Sequence, residues 1–312
     1  MRVQIMPSMV SVNRWILRLG MPLVLVAYVS YVVYEATRFE DLGRRIIAEN
    51  HRHRISESPA IDAIILGGSN AYFSLSAELL GQSTGKYWYN ASLLNEGFSD
   101  ASYQNYVLSL FNKDEAARIA VLVYSPISAH RKGLSKSREQ YFGPVYGHPN
   151  LGIRPQRSFY DFLKSVKPDR PHEPVKMFPS PNRFGDFNFD EFQCGEKPES
   201  DFVAEREDQV LAAQIIAGNI VEYMGGFPNA KMYVVFPSEY YVSFDEQYLK
   251  SYSSAVSIAV RSSILETTPE MAHRLHLLTQ PTYPDASFVC DGRHHANAAG
   301  RLWRTEDLAS RL

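Results

Sequence analysis

Cysteine is scarce in this 312-residue chain, and neither sign of charge is in excess. Its only two cysteines, Cys194 and Cys290, lie almost a hundred residues apart, so the Cys and His spacing of a structural zinc site is absent. In an oxidising compartment the two thiols can pair, and the sequence alone leaves that pairing open. The formal net charge of -2 provides no basic field to attract nucleic acid. We therefore predict neither a zinc-stabilised domain nor a nucleic-acid-binding protein.

An uncharged apolar run near the N-terminus predicts a transmembrane helix. The run from Leu19 to Tyr34 contains no charged residue, and the stretch from Trp15 extends it to about twenty residues, enough to cross a bilayer as a helix. A cleaved signal peptide and a buried soluble helix are the alternatives, but no small-residue cleavage site follows the run and nothing amphipathic interrupts it. The predicted N-terminal organisation is a leader over residues 1–14, an anchor over residues 15–34 and a polar stalk over residues 35–58.

Beyond the stalk, apolar runs of strand length alternate with segments of helical periodicity. Strands are predicted over residues 61–66, 86–91, 118–124 and 231–236, with a last strand region formed by residues 274–278 and 287–290. Helices are predicted over residues 74–80, 99–111, 208–224, 245–266 and 297–312. This alternation predicts an α/β domain over residues 59–312 with a doubly wound parallel sheet.

A long irregular insertion interrupts the alternation at residues 127–206. It holds nine of the 18 prolines of the chain. Because an insertion of this length exceeds a simple connection within a compact domain, we predict a functional or lid-like role for it.

Two short segments at opposite ends of this domain carry the residue types of nucleophilic catalysis. Ser69 follows the first strand in the turn 67–70, and Asp291 precedes His294 by three residues near the C-terminus. Both segments fall at carboxyl ends of predicted strands, where open α/β sheets bind their ligands. We predict Ser69 as the nucleophile, His294 as its base and Asp291 as the group that orients the imidazole. His295 is the alternative base, and a glycine-rich turn with a helix cap is the purely structural interpretation.

An oxyanion formed at Ser69 also needs hydrogen-bond donors. The candidates are the backbone N–H groups of Ser69 and Gly97 and the side chains of Asn95 and Asn70. The same residue types are common turn formers, so each of them also has a structural interpretation. No third group at metal-ligand spacing accompanies the aspartate and the histidines, and we therefore predict no metal and no cofactor.

These motifs resemble those of the SGNH (GDSL-like) hydrolase and acyltransferase superfamily, over about residues 58–312. The turn 67–70 is similar to its nucleophile block, residues 89–97 to its second, glycine-bearing block, and residues 291–294 to its Asp-x-x-His block. The third block departs from the family pattern, because the strand that ends at Ser125 is followed by Pro126 and supplies no asparagine. The resemblance implies a flavodoxin-like sheet and a Ser-His-Asp triad.

A membrane anchor followed by such a domain resembles bacterial envelope proteins that add or remove acyl groups, notably acetyl, on exported polysaccharides. The resemblance implies a polysaccharide acceptor and a membrane-bound partner that supplies the acyl group. It also implies that the domain lies on the periplasmic side of the inner membrane. The number of arginines on each side of the apolar run does not by itself favour that orientation. O-acyltransferase and esterase both stay open, because the triad is common to them. A catalytically inactive scaffold or carbohydrate-binding subunit of an exopolysaccharide biosynthesis or export complex is the alternative from another class. A soluble lipase-like enzyme would require the apolar run to be buried.

Overall fold

The computed structural model describes eight stretches of the chain, which are residues 20–36, 50–93, 101–126, 181–189, 209–238, 246–278, 283–292 and 295–312. The chain divides into two compact units, Met1–Gly43 with Leu151–Lys176, and Arg44–Asn150 with Met177–Leu312.

The first unit contains one described helix, α1 (Met21–Ala36). Its apolar side chains between Leu23 and Val29 are mostly exposed. Among the described residues, none of the helices combines the length and the apolar character needed to cross a membrane. The leader and residues 15–19 of the predicted anchor lie outside the described residues.

The second unit alternates strands and helices. The strands are β1 (Ala63–Gly67), β2 (Trp88–Asn90), β3 (Val121–Ser125), β4 (Lys231–Val235), β5 (Leu275–Leu278), β6 (Val289–Gly292) and β7 (His295–Ala296). The helices are α2 (Ser69–Ser74), α3 (Ala77–Thr84), α4 (Ala101–Ser109), α5 (Lys113–Arg118), α6 (Gln209–Gly226), α7 (Glu246–Thr267) and α8 (Ala298–Ala309). Two 3-10 helices, Pro269–Arg274 and Ala286–Phe288, precede β5 and β6.

The first five strands form one parallel sheet in the order β2-β1-β3-β4-β5. This is the flavodoxin-like order, so the predicted doubly wound parallel sheet is confirmed. In such a sheet the chain direction along the sheet reverses between β1 and β3, and ligands bind outside the carboxyl ends of the strands at that point. Ser69 follows β1 directly and therefore lies at this position.

Alternate residues of the sheet face two helical layers, because side chains of a strand point to opposite faces. One face packs against α4, α6 and α7 and consists of Ile64, Leu66, Leu122, Tyr124, Met232 and Val234. The other face packs against α2, α3 and α8 and consists of Ala63, Ile65, Val123, Tyr233 and Val235. Burial on both faces explains the nearly continuous apolar runs from which the strands were predicted.

Some elements differ from the sequence prediction. Helix α2 begins at Ser69, where a turn was predicted, and the predicted helix over residues 74–80 is replaced by α3. The last strand region was predicted as one feature, but only β5 joins the sheet, whereas β6 pairs antiparallel with β7 in a separate two-stranded ladder. Helix α5 was not predicted, although Asn112 and Glu115 form a capping box at its start. The Asn-x-x-Glu spacing was present in the sequence and identifies such a helix start.

The helical segment over residues 50–57, which falls within the predicted stalk, packs against the sheet domain. His51 is fully buried there, and its Nδ1 lies 2.8 Å from Tyr89 Oη. Its ring also meets Tyr72 edge-on, with centroids 6.3 Å apart. His53 has the solvated position expected of a stalk residue, but His51 does not.

We expect His51 to make stability depend on pH. Burial lowers the pKa of His51 to about 3, against about 6.5 in an unfolded chain. Below pH 6.5 the unfolded chain binds a proton that the folded protein excludes. The free energy of unfolding should therefore decrease from pH 6.5 towards pH 3, by up to about 1.4 kcal/mol per pH unit from this one group. Urea unfolding at a series of pH values measures this slope.

The His51→Gln variant should show a flatter slope than the wild-type protein over the same pH range. His53→Gln is the matched control, because it removes an exposed histidine two residues away. Equal slopes in His51→Gln and the wild type would contradict the prediction.

Candidate active site

The turn between β1 and α2 is shaped by a close approach of two strands. Gly67 has φ of +152°, and a Cβ atom at this position would lie 2.5 Å from the carbonyl oxygen of Ser125 and 2.9 Å from Cβ of Ala71. Its N–H donates to Tyr103 Oη at 3.1 Å. Glycine is therefore required both by the backbone conformation and by the lack of space. The turn carries Ser69 to the first position of α2, where it is 5% exposed.

A histidine from the far end of the chain reaches this serine. His295 Nε2 lies 2.9 Å from Ser69 Oγ, although 226 residues separate the two positions in sequence. His295 belongs to β7 and pairs with Gly292 of β6. The ring of Phe73, from the same helix as Ser69, packs against the imidazole with centroids 4.8 Å apart. A serine hydroxyl in hydrogen-bond reach of an imidazole is the arrangement that proton transfer from a serine nucleophile requires.

Four other predicted site residues are described in part or not at all. His294, Gly97 and Asn95 lie outside the described residues. Asp291 lies in β6, next to the residue that pairs with His295, and the structure describes its backbone alone. The described contact to Ser69 thus comes from His295, the alternative base. Within the described part of the chain, no group of three or more His, Cys, Asp or Glu side chains is arranged to hold a metal ion.

Asn70, a predicted oxyanion donor, directs its amide toward the end of β3. Its Nδ2 donates to Ser125 Oγ at 2.8 Å and to the carbonyl oxygen of Pro126 at 3.4 Å. Both N–H bonds of this amide therefore have acceptors within the protein. A contact between Ser125 and Asn70 thus occupies the end of β3.

A buried arginine that was not among the predicted site residues supports the same turn. Arg304 of α8 is fully buried and donates to the carbonyl oxygen of Asn70 at 3.1 Å. It also donates to Ser125 Oγ at 2.9 Å and to the carbonyl oxygen of Phe236 at 3.3 Å. One guanidinium thereby joins the chain segments that follow β1, β3 and β4. An arginine in a C-terminal helix gives no sequence signal of this role, because most arginines are exposed.

The described part of the insertion, residues 181–189, docks on the start of α3. The Asp186 carboxylate accepts hydrogen bonds from Ser76 Oγ, from the N–H of Ala77 and from the N–H of Glu78, at 2.8, 2.7 and 3.0 Å. Burial raises the pKa of the Asp186 carboxyl, and these hydrogen bonds oppose that effect. Asp186 thus supplies acceptors for N–H groups of the first helical turn, which have no partner within the helix.

The same segment contacts the aromatic residue that packs on the candidate base. Phe187 is buried, and its ring centroid lies 4.5 Å from that of Phe73. Its carbonyl oxygen accepts a hydrogen bond from Arg301 of α8 at 2.6 Å. The Arg301 guanidinium also lies 4.5 Å above the ring of Phe189. Residues 181–189 therefore lie next to the ring that packs on His295, whereas the rest of the insertion lies outside the described residues and its functional or lid-like role stays a prediction.

Cys290 of β6 is disulfide-bonded. The one other cysteine of the sequence is Cys194, which falls in the insertion and outside the described residues. The pairing that the sequence left open is therefore present at Cys290.

Comparison with known proteins gives matches among solved structures alone: no protein-family model matches the sequence, and no curated protein matches it. A carbohydrate esterase family 2 enzyme with a carbohydrate-binding domain, from Myceliophthora fergusii, is 11% identical with a TM-score of 0.44, covering 81% of this chain and 66% of that one. An acetyl xylan esterase from the rumen bacterium Butyrivibrio proteoclasticus is 8% identical with a TM-score of 0.41, covering 82% of this chain and 64% of that one. The periplasmic domain of a lipopolysaccharide acetyltransferase from Salmonella ser. Paratyphi A is 10% identical with a TM-score of 0.33, covering 81% and 84%.

These similar structures are carbohydrate esterases and an acetyltransferase, and the present chain spans less than two thirds of the length of the two esterases. At TM-scores below 0.5 and identities of 8–11%, the similarities assign neither a family nor an activity to this chain. The chemistry of the site has to be inferred from its own geometry.

We expect Gly67→Ala to destabilise the protein by at least about 1–3 kcal/mol, because the new Cβ meets the backbone of β3 in a conformation that disfavours side chains. Gly218→Ala is the matched control. Gly218 is exposed within α6 and a Cβ there meets no atom within 4 Å, so this change should be neutral or stabilising by up to about 1 kcal/mol. Urea unfolding of both variants tests the prediction, and a stable Gly67→Ala protein would show that the turn can rearrange.

We also expect the disulfide at Cys290 to be intact in protein purified without reductant. Both thiols should react with a thiol reagent in denaturant only after reduction. Cys290→Ala should lower the free energy of unfolding by about 2–4 kcal/mol, the usual contribution of a disulfide that closes a long loop. Free thiols in the unreduced, denatured protein would contradict this assignment.

Proposed function

We propose that this protein is a serine-dependent acyl-transfer enzyme with Ser69 as nucleophile and His295 as base. The observation that carries the proposal is the 2.9 Å contact between Ser69 Oγ and His295 Nε2. His295 takes the place of His294 in this assignment because its contact with the serine is described. Asp291 remains the proposed third residue, since it lies beside the residue that pairs with His295.

In the first half-reaction, Ser69 Oγ attacks the carbonyl carbon of an ester while its proton moves to His295 Nε2. The tetrahedral intermediate collapses, the C–O bond to the alcohol breaks, and the imidazolium returns its proton to the departing oxygen. In the second half-reaction, water or a sugar hydroxyl attacks the acyl-serine and passes its proton to the same nitrogen. The bond between Ser69 Oγ and the acyl carbon then breaks, the imidazolium returns the proton to Ser69 Oγ, and the free acid or the new ester leaves. The backbone N–H of Ser69 is the proposed oxyanion donor, together with Gly97 or Asn95.

The proposed substrate is an O-acetylated polysaccharide, or a polysaccharide acceptor of acetyl groups, at the bacterial envelope. The low exposure of Ser69, 5%, suits a small acyl group such as acetyl. The disulfide at Cys290 supports an oxidising compartment such as the periplasm. The apolar segment from residue 15 to residue 34 is the proposed anchor, and a membrane-bound partner is the proposed acyl donor of a transferase.

Transferase and esterase share every group in this site, and they differ in which nucleophile reaches the acyl-serine. An inactive scaffold or carbohydrate-binding subunit is the alternative function. That alternative is expected to have a distant or blocked serine. The hydrogen-bond distance between Ser69 and His295 therefore favours an active enzyme.

The test is release of p-nitrophenol from p-nitrophenyl acetate by the full-length protein. Ser69→Ala and His295→Ala should each lower kcat/KM by about 10²–10⁴-fold, because each removes a partner of the proton transfer. His294→Ala is the matched variant, since it removes the neighbouring histidine and discriminates between the two candidate bases. Loss of activity in His294→Ala with retention in His295→Ala would reverse the base assignment and leave the serine mechanism intact.

Oligosaccharide acceptors then separate the two enzyme activities. A transferase should give acetylated oligosaccharide detectable by mass spectrometry, whereas an esterase should give acetate whether or not the acceptor is present. A folded wild-type protein that releases no more p-nitrophenol than Ser69→Ala would favour the scaffold or carbohydrate-binding alternative.

A further inference from the structure

We infer that Arg304 is a positioning residue that keeps the nucleophile aligned with its base, an inference that rests on the proposed role of Ser69. Two consecutive residues of the nucleophile turn are bound by one short segment of the chain. Ser69 contacts His295 at 2.9 Å, and the carbonyl oxygen of Asn70 accepts a hydrogen bond from Arg304 at 3.1 Å. The base and the arginine belong to the continuous unit β7–α8, residues 295–309.

The unit β7–α8 is held rigidly at its start. Asn297 caps α8 by accepting a hydrogen bond from the N–H of Gly300 at 3.0 Å, and its Nδ2 donates to backbone carbonyls of Ser287 and Val289. A Cβ atom on Gly300 would clash with the carbonyl oxygen of Phe288, so the helix lies directly against the segment that leads into β6. These contacts hold the start of α8 against the segment that leads into β6, and the same continuous unit carries His295 and Arg304.

Arg304 interacts with Asn70 both directly and through Ser125. It binds the Asn70 carbonyl directly, and it binds Ser125 Oγ, which in turn accepts a hydrogen bond from Asn70 Nδ2. Its third acceptor is the carbonyl oxygen of Phe236. These three acceptors are neutral oxygens at three neighbouring strand ends, and a planar guanidinium can reach them together, whereas an ammonium group lacks the same fork of donors.

Arg304 affects catalysis because the contact between Ser69 and His295 depends on the position of the nucleophile turn. Loss of Arg304 leaves three acceptors without their donor, and loss of an acceptor leaves a buried charge with fewer hydrogen bonds. Both changes are costly, so either one rearranges this region. A displacement of the turn by about 1 Å removes Ser69 Oγ from hydrogen-bond reach of the imidazole, and misplacement on this scale costs about 10²-fold in rate. Arg304 therefore acts on catalysis through Asn70 and Ser69 without contacting the substrate.

The experiment compares Arg304→Gln and Arg304→Lys with Thr305→Val in the full-length protein. Thr305 is the neighbouring residue of α8 and is equally buried, but its Oγ1 accepts a hydrogen bond from Ser76 N–H, away from the nucleophile turn. Thr305→Val therefore controls for loss of a buried hydrogen bond in the same helix. Each rate is divided by the folded fraction measured at the assay temperature.

We expect Arg304→Gln to lower kcat for p-nitrophenyl acetate by about 10–100-fold with less than a threefold change in KM. Arg304→Lys should restore part of this loss, and Thr305→Val should keep the wild-type kcat even if it lowers the melting temperature. Wild-type kcat per folded molecule in Arg304→Gln would overturn the inference. An equal loss of kcat in Thr305→Val would overturn it too, because the effect would then be general to the helix.

A second measurement separates this inference from the proposed activity. The imidazole nitrogen signals of His295, assigned by comparison with His295→Ala, should shift in Arg304→Gln and stay in place in Thr305→Val. If the wild-type protein proves inactive on esters, the proposed function fails, and the imidazole signals still decide whether Arg304 sets the Ser69–His295 contact. Unchanged signals in folded Arg304→Gln would overturn the inference.

Discussion

The close approach of Gly67 to the carbonyl of Ser125 is the constraint on which the whole site depends. These two residues are register partners at the carboxyl ends of β1 and β3, and there is no space between them for a side chain. The tight turn that follows places Ser69 and Asn70 directly over the end of β3. Both the contact to His295 and the hydrogen bonds of Arg304 require this placement, because each reaches across from α8 or from β7 to the same turn.

Two buried charged residues flank this turn and have different tasks. Arg304 joins the ends of the central strands, and Asp186 fastens the insertion to the start of α3. Removing a charge from water is expensive, and a well-packed apolar residue often gives equal or greater stability. Each of these two charges makes at least three hydrogen bonds to groups of other chain segments. Their retention is therefore better explained by the geometry they impose than by the stability they add.

The sheet could be predicted from the sequence because its strands are buried on both faces and appear as apolar runs between turns. The position of Ser69 after β1 was predicted for the same reason. The contact between Ser69 and His295 was harder to predict, because side chains of a strand alternate in direction and the register of β7 against β6 decides which of two neighbouring histidines faces the serine. Residue spacing does not encode that register.

The burial of three polar residues could not be predicted, because their hydrogen-bond partners lie far away in the sequence. The separations are 234 residues for Arg304, 38 for His51 and 109 for Asp186. A buried polar residue is recognised by its partners, and none of these partners is near it in the chain. Local patterns instead favour exposed positions for all three types. The predicted stalk is an example. Residues 35–58 were predicted to be polar and outside the domain, whereas His51 is part of the domain core.

The described residues 181–189 of the insertion reach the candidate base through aromatic packing. Phe187 contacts Phe73, and Phe73 contacts the imidazole of His295, so two ring contacts separate the insertion from the proton-accepting nitrogen. Aromatic packing restricts ring orientation without adding or removing a proton. The insertion can thus influence which way the imidazole faces while leaving its acid–base chemistry to the serine and to the residue that orients the base.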